Sequence, residues 1–191
     1  MPRIVVSFSF VLAVLVTGCH HSIPDMTMPA SPPHATVVPP AGQAAFVGIH
    51  GGRDGTNLVL FTADGTPVCQ LPHASHCLLA LTPGHYRLYV AWDRSFIDAI
   101  DLDVIEGHTY YATFAPGWGY VDEKLTPSSP QWIHLNDYMA GAEVAIDPSQ
   151  MSALRTELGN VAELVRQGDQ RMDHYDDRHR EAHTIHPGDG S

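Results

Sequence analysis

The chain has 191 residues and a formal net charge of −11, with ten lysines and arginines against twenty-one aspartates and glutamates. That acidic balance argues against nucleic acid as a partner and against a polybasic grip on anionic lipid. The length suffices for one domain with a real core, and the carboxylates are scattered, so charge alone defines no site.

The chain opens MPRIVVSFSFVLAVLVTGC. Met1 and Arg3 form a minimal positive region, and an apolar run follows from Ile4 to Val16, broken by Ser7 and Ser9. As a helix this run reaches about 20 Å, at roughly 1.5 Å per residue. It falls short of the roughly 30 Å hydrocarbon core, so it has the proportions of a cleavable export signal and not of a span. Val16-Thr17-Gly18-Cys19 resembles the lipobox of bacterial lipoproteins. The resemblance implies a signal peptide over 1–18, diacylglycerol transfer to the Cys19 thiol, cleavage before Cys19 and acylation of the new amine with a palmitate-type chain. A plain signal peptide, or an anchor with an incidental cysteine, is the alternative. His20 stands where an inner-membrane retention signal usually has Asp, so the resemblance favours the outer membrane, facing the periplasm. The mature chain would carry −12, since Arg3 is the one charged side chain among the first eighteen residues.

Residues 19–42 read as a Pro-rich tether: HHSIPDMTMPASPPHATVVPPAG, after Cys19, holds six prolines and no apolar periodicity. Such a spacer leans to extended polyproline II and would hold a domain a few tens of ångströms off a membrane, at about 3.1 Å per residue.

From 43 to 146 the pattern is one of short strands between turns. The predicted strands are QAAFVGIH (43–50), TNLVLFT (56–62), TPVCQL (66–71), HCLLAL (76–81), HYRLYVAW (85–92), AIDLDVI (99–105) and HTYYATF (108–114), with WIHL (132–135) and AEVAI (142–146) weaker. Ala63-Asp64-Gly65, Thr82-Pro83-Gly84 and Glu106-Gly107 have the chemistry of turns. Alternation puts Tyr86, Leu88, Val90 and Trp92 on one face, and Tyr110, Ala112 and Phe114 opposite Thr109, Tyr111 and Thr113. This predicts a mainly β fold, an antiparallel β-sandwich of immunoglobulin or transthyretin-like type, with a C-terminal α-helix. That helix is expected over 147–170, from an Asp147 cap and Pro148 at the first position. Met151, Leu154, Leu158, Val161, Val165, Met172 and Tyr175 form a heptad-like seam, weakened at Gly159 and Gly168. The seam either packs on the sandwich or forms a homo-oligomer through residues 151–175. Residues 171–191 form a polar, His-rich tail that is expected to fray.

DGTPV, LTPGHYRLYV and IEGHTYY, in that order, resemble an uncharacterised family of bacterial lipoproteins, a domain of unknown function with PG-x-h/y and aG-x-tYY strand motifs. The family is similar in architecture to PEGA-type and transthyretin-like sandwiches, and the likeness covers roughly residues 45–115. Asp64-Gly65, Pro83-Gly84, Gly107 and Tyr110-Tyr111 stand at its motif positions, while Glu106 replaces a more usual small residue. The resemblance implies an envelope location and a sandwich, and carries no catalytic residue across.

Three cysteines are present, and acylation of Cys19 would leave Cys69 and Cys77 as a pair in an oxidising compartment. CQLPHASHC also brackets His73 and His76, so a Cys-His-His-Cys zinc set and free thiols stand as alternatives to a disulfide. The disulfide is expected, between hairpin partners, with the two histidines in the loop. His179 and His183, at i and i+4, define the other candidate metal pair, with Asp176 or Glu181 beside them and His174 and His186 nearby. Asp98, Asp101 and Asp103 read as a solvated face more than a cation site, and HGGRDG (50–55) as a glycine-rich connection. Trp118 and Tyr120 read as loop anchors. No nucleophile elbow, Walker loop or HExxH motif is present, so no catalytic residue is assigned. The function expected is that of a membrane-anchored periplasmic lipoprotein with a non-catalytic binding or scaffolding role toward an envelope partner. The alternative is a periplasmic metal-binding lipoprotein that uses the C-terminal histidines. No cofactor is expected beyond the covalent lipid on Cys19.

Overall fold

The computed structural model describes residues 23–30, 37–51, 56–92, 97–114 and 121–191. Cys19, the signal segment, Trp118 and Tyr120 lie outside them, as does most of HGGRDG. Two sheets face each other. The first has the order β1 (Thr27–Pro29), β10 (Ala142–Ile146), β5 (Ser75–Leu81), β2 (Ala44–His50), β8 (Thr109–Phe114), β9 (Val121–Leu125). The second has the order β11 (Thr184–Ile185), β7 (Ile97–Val104), β6 (Gly84–Ala91), β3 (Leu58–Phe61), β4 (Pro67–Leu71). The expected antiparallel sandwich is corrected to two mixed sheets. β2 runs parallel to β8, β10 parallel to β5, and β11 parallel to β7. Pattern fixes which side chains point inward, but not which neighbour a strand finds across the sheet.

The inner layer follows the alternation. Leu88 and Val90 of β6 meet Tyr110, Ala112 and Phe114 of β8, with Phe46, Leu60, Ile100 and Leu102 between the sheets. The outer faces are apolar as well, because both are covered. Val59, Phe61, Tyr89, Ala91, Ile97 and Ala99 lie under the C-terminal helices. Val47 and Ile49 lie with Trp132, Leu135 and Tyr138. Double coverage explains why every residue of AAFVGIH in β2 is buried, a continuous apolar run of the kind seen in strands packed on both faces. WIHL was expected as a strand. Instead Pro130–His134 forms a 3₁₀ turn that runs into α1 (Leu135–Met139), with Pro130 in its first turn.

The C-terminal helix is two helices. α2 (Met151–Leu158) ends at Gly159, whose φ of 72° is the left-handed conformation that suits glycine. Asn160 then caps α3 (Val161–His174) by accepting from the Glu163 amide. The whole seam, Met151, Leu154, Leu158, Val161, Val165, Met172 and Tyr175, packs on the second sheet. The face that oligomerisation through 151–175 required is therefore used within one chain. Gly168 is the closest approach: a Cβ there would sit 2.7 Å from Tyr89 Cδ1. A polar clamp reinforces the contact. Arg87 donates to both oxygens of Asp101 (2.6 and 2.8 Å) and to Asp169 of α3 (2.9 Å), and the Tyr89 hydroxyl donates to the same Asp169 oxygen. Burial, with Asp169 beside the hydroxyl, pushes the Tyr89 pKa up to about 12.

The C-terminal end and residues 23–30 are more ordered than their composition suggested. The tail expected to fray forms α4 (Asp177–Ala182), then β11 on the edge of the second sheet, with Ile185 in the inner core. Ser191 exchanges two backbone hydrogen bonds with Thr109 of β8, and Lys124 reaches Glu181 and Asp189. The final segment thus closes the gap between the sheets beside Tyr110, whose hydroxyl donates to the Pro187 carbonyl. Within the tether expected over 19–42, residues 23–30 pack on the domain. Ile23 is 1% exposed, β1 pairs with β10, Asn57 donates to the Ile23 carbonyl, and Gln70 bonds both Pro24 and Met26. One buried isoleucine and a run of backbone partners outweigh the proline content.

Gly168→Ala weighs two effects against each other. Ala gains about 1 kcal/mol of helix propensity. Overpacking against Tyr89 costs about 1–3 kcal/mol. The variant is expected to be less stable than wild type in urea unfolding; a gain would show that α3 is not pressed onto the sheet as described.

Candidate functional site

The expected disulfide is present: Cys69 and Cys77 are bonded, with Cα atoms 6.3 Å apart. Its setting differs from the hairpin expected. Cys69 belongs to β4 of the second sheet and Cys77 to β5 of the first, so the bond ties the two sheets at the corner where the chain crosses between them. Gly48 faces it; a Cβ there would lie 3.5 Å from the Cys77 sulfur and 3.4 Å from Phe114. The corner turn, Pro72 to Ala74, is tight. Ser75 Oγ donates to the Pro72 carbonyl, and Ala74 holds a φ of 53°, an unfavourable left-handed conformation for a residue with a Cβ.

Beside this corner lies a pocket of about 280 Å³, lined by His50, Gly51, His73, Ala74, Asp137, Tyr138 and Gly141. His50 is the last residue of β2 and is buried; its ring meets that of exposed His73 edge to face, with centroids 5.9 Å apart. α1 brings Asp137 and Tyr138. Gly141 has to lack a side chain, because a Cβ would fall 2.5 Å from the Ala74 carbonyl oxygen. Two imidazoles, a phenol and a carboxylate around a small cleft offer hydrogen bonds and an aromatic wall to a ligand.

His76 was expected in the loop with His73. It sits instead inside β5, 4% exposed, with Glu143 of β10 across the ladder at 4.0 Å. Burial lowers its pKa below the ordinary histidine value, and the Glu143 carboxylate opposes this as the smaller effect. The Cys-His-His-Cys zinc set is therefore dispersed: the sulfurs are bonded to each other, one histidine is buried and the other faces the pocket.

The C-terminal pair is also placed differently. His183 is 1% exposed, and its Nδ1 lies 2.7 Å from the His179 carbonyl, which can only accept, so Nδ1 carries the proton. Its Nε2 faces Asp98 Oδ2 at 3.5 Å. Asp98, fully buried, accepts from the Tyr175 hydroxyl (2.9 Å to either oxygen) and from the Ala99 amide. His179 meanwhile lies on Asp176, which caps α4, at 2.8 Å. The two imidazoles flank Tyr175, but they are engaged in different networks. His174 bonds the Gln170 carbonyl, and His186 lies 3.1 Å from Glu181. Lys124 first, then His186, hold the Glu181 carboxyl below its usual range. Asp101 is taken by Arg87, so the aspartates of β7 do not form a cation site. Among the described residues no group of three or more His, Cys, Asp or Glu converges as a metal site, and no helix is long and apolar enough to cross a membrane.

Asp137, Tyr138 and Gly141 were not singled out by sequence reasoning, and His50 entered it only as the first residue of HGGRDG. They are far apart in the chain, and no spacing connects β2 with α1. Together these features define a disulfide-closed, two-sheet β domain with C-terminal helices and a small pocket between the corner turn and α1. No protein-family model, curated protein or solved structure matches the chain.

His76 makes the fold acid-sensitive. The unfolded chain takes up a proton near pH 6.5, the ordinary histidine value, whereas the folded chain resists it. The neutral-His stability is present above that pH and declines as pH falls below it. Between about pH 7 and about pH 5, His76→Leu is expected to lose less stability than wild type in urea titrations. Parallel losses in the two proteins would contradict this.

Proposed function

We propose that the chain is a membrane-anchored periplasmic lipoprotein, acylated at Cys19, with a non-catalytic binding or scaffolding role in the cell envelope. The observation that carries this reading is the inter-sheet disulfide. Disulfides of this structural kind form and persist in oxidising compartments, and the export signal and lipobox-like Val16-Thr17-Gly18-Cys19 supply a route to one. Two or three acyl chains, at about 0.8 kcal/mol per buried methylene, hold a protein stably on a bilayer without a basic patch, which suits a chain this acidic. Outer-membrane attachment facing the periplasm follows from His20 after the cysteine.

The likeness to PEGA-type and transthyretin-like sandwiches belongs to the same proposal. Its support is local: Gly65 and Gly107 have positive φ in turns and Gly84 has positive φ at the start of β6, where the family motif calls for glycine, and Tyr110 is buried close after Gly107. The pocket of His50, His73, Asp137 and Tyr138 is where a ligand or an envelope partner's side chain would be held.

Labelling cells with a clickable palmitate is expected to mark the wild-type chain and not Cys19→Ala. Equal labelling of both, or of neither, overturns the anchor. In the same cells, a photo-crosslinking residue in place of Tyr138 is expected to give a discrete adduct. Absence of any adduct with the anchor intact overturns the binding half.

A further inference from the structure

Chain reach and strand register together orient the molecule. The inference rests on the lipid-anchored reading. Cys19 precedes Ile23 by four residues, and Ile23 is buried on the second sheet with Leu154 and Leu158. Four residues span at most about 14 Å, at roughly 3.6 Å each. An acylated Cys19 therefore brings the bilayer surface close to Ile23, not a few tens of ångströms away.

Ile23 marks one end of the sandwich. Its carbonyl accepts from Asn57, the residue just before β3. β3 begins where β6 finishes, with Val59 opposite Ala91. β4 finishes there too, with Leu71 opposite Leu58, and the corner turn passes from Leu71 to Ser75 at the start of β5. His50, at the end of β2, follows Ile49, which lies opposite His76. The pocket residues His50, His73 and Ala74 are therefore at the end where Ile23 is held. The opposite end carries the turn before Gly84 and the turn after Val104, which pair with each other. The eight residues of β6 separate the two ends by about 23 Å, at roughly 3.3 Å per residue. A leash of about 14 Å cannot bring lipid to the far end.

A side-on pose is the other geometry that such a leash permits. Against it, the arginines that α2 and α3 turn outward are already engaged, Arg155 with the Asp64 carbonyl and Arg166 with Glu163, so that face has little to offer headgroup phosphates.

We propose that the pocket end of the sandwich is its membrane-proximal end, facing the lipid bilayer, and that the Pro83–Gly84 and Glu106–Gly107 turns point away from it. The pocket then meets ligands or partners at the membrane surface, and the far turns meet those free in the aqueous compartment.

The test uses the acylated full-length protein in phosphatidylethanolamine–phosphatidylglycerol vesicles that carry a headgroup energy-transfer acceptor. A donor dye is placed at Asp137→Cys, on the exposed rim of the pocket, or at Pro83→Cys, in the exposed far turn. The Asp137 position is expected to read nearer the headgroup plane, by up to about 20 Å. Equal distances, the side-on result, or a nearer Pro83 position overturn the inference while leaving the anchor intact. A wild-type chain that does not float with vesicles overturns the anchored reading, and the orientation with it.

Discussion

The corner at Cys69–Cys77 is the constraint on which the rest of the molecule depends. The chain passes there from the second sheet to the first in three residues, Pro72 to Ala74, and the disulfide fixes the crossing. In the chain-entropy description a loop this short yields about 2–3 kcal/mol. Position matters as much as magnitude. With the corner fixed, β4 and β5 lie over one another, Gly48 lets Phe114 and Leu71 close around the sulfurs, and the inner core has a defined edge.

The same corner builds the pocket. Ala74 is held in a left-handed conformation and its carbonyl accepts from Ala142, so the chain returning from α1 into β10 has to pass closely above it. Only glycine at 141 permits that approach. His50 and His73 then come together from β2 and from the turn, with α1 as the facing wall. The pocket is thus a consequence of how two sheets are joined, and its chemistry is set by residues whose backbone positions the joint dictates.

The short strands at the sheet edges are a second theme. β1 covers one edge of the first sheet, and β11 one edge of the second. Edge strands this short limit unwanted strand pairing. The C-terminal segment also carries a buried polar network, in which Asp98, Tyr175 and His183 engage one another beside α4. The histidines that suggested metal chelation by their spacing serve there as helix-end and core partners.

Much was legible in residue order alone. Short apolar or alternating runs between turn residues placed eight strands within a few residues of their observed bounds, because a strand must bury at least one face. The α2–α3 seam was equally legible, since three- and four-residue spacing is a property of a helix and not of its neighbours. The pairing of Cys69 with Cys77 was likewise within reach. Tertiary structure decided the rest. Parallel pairing of β2 with β8, order in the tail, burial of Ile23 and the meeting of His50 with Tyr138 all depend on contacts between distant segments. Local composition could not register these, because a proline-rich or histidine-rich stretch looks unfoldable until another part of the chain supplies its core.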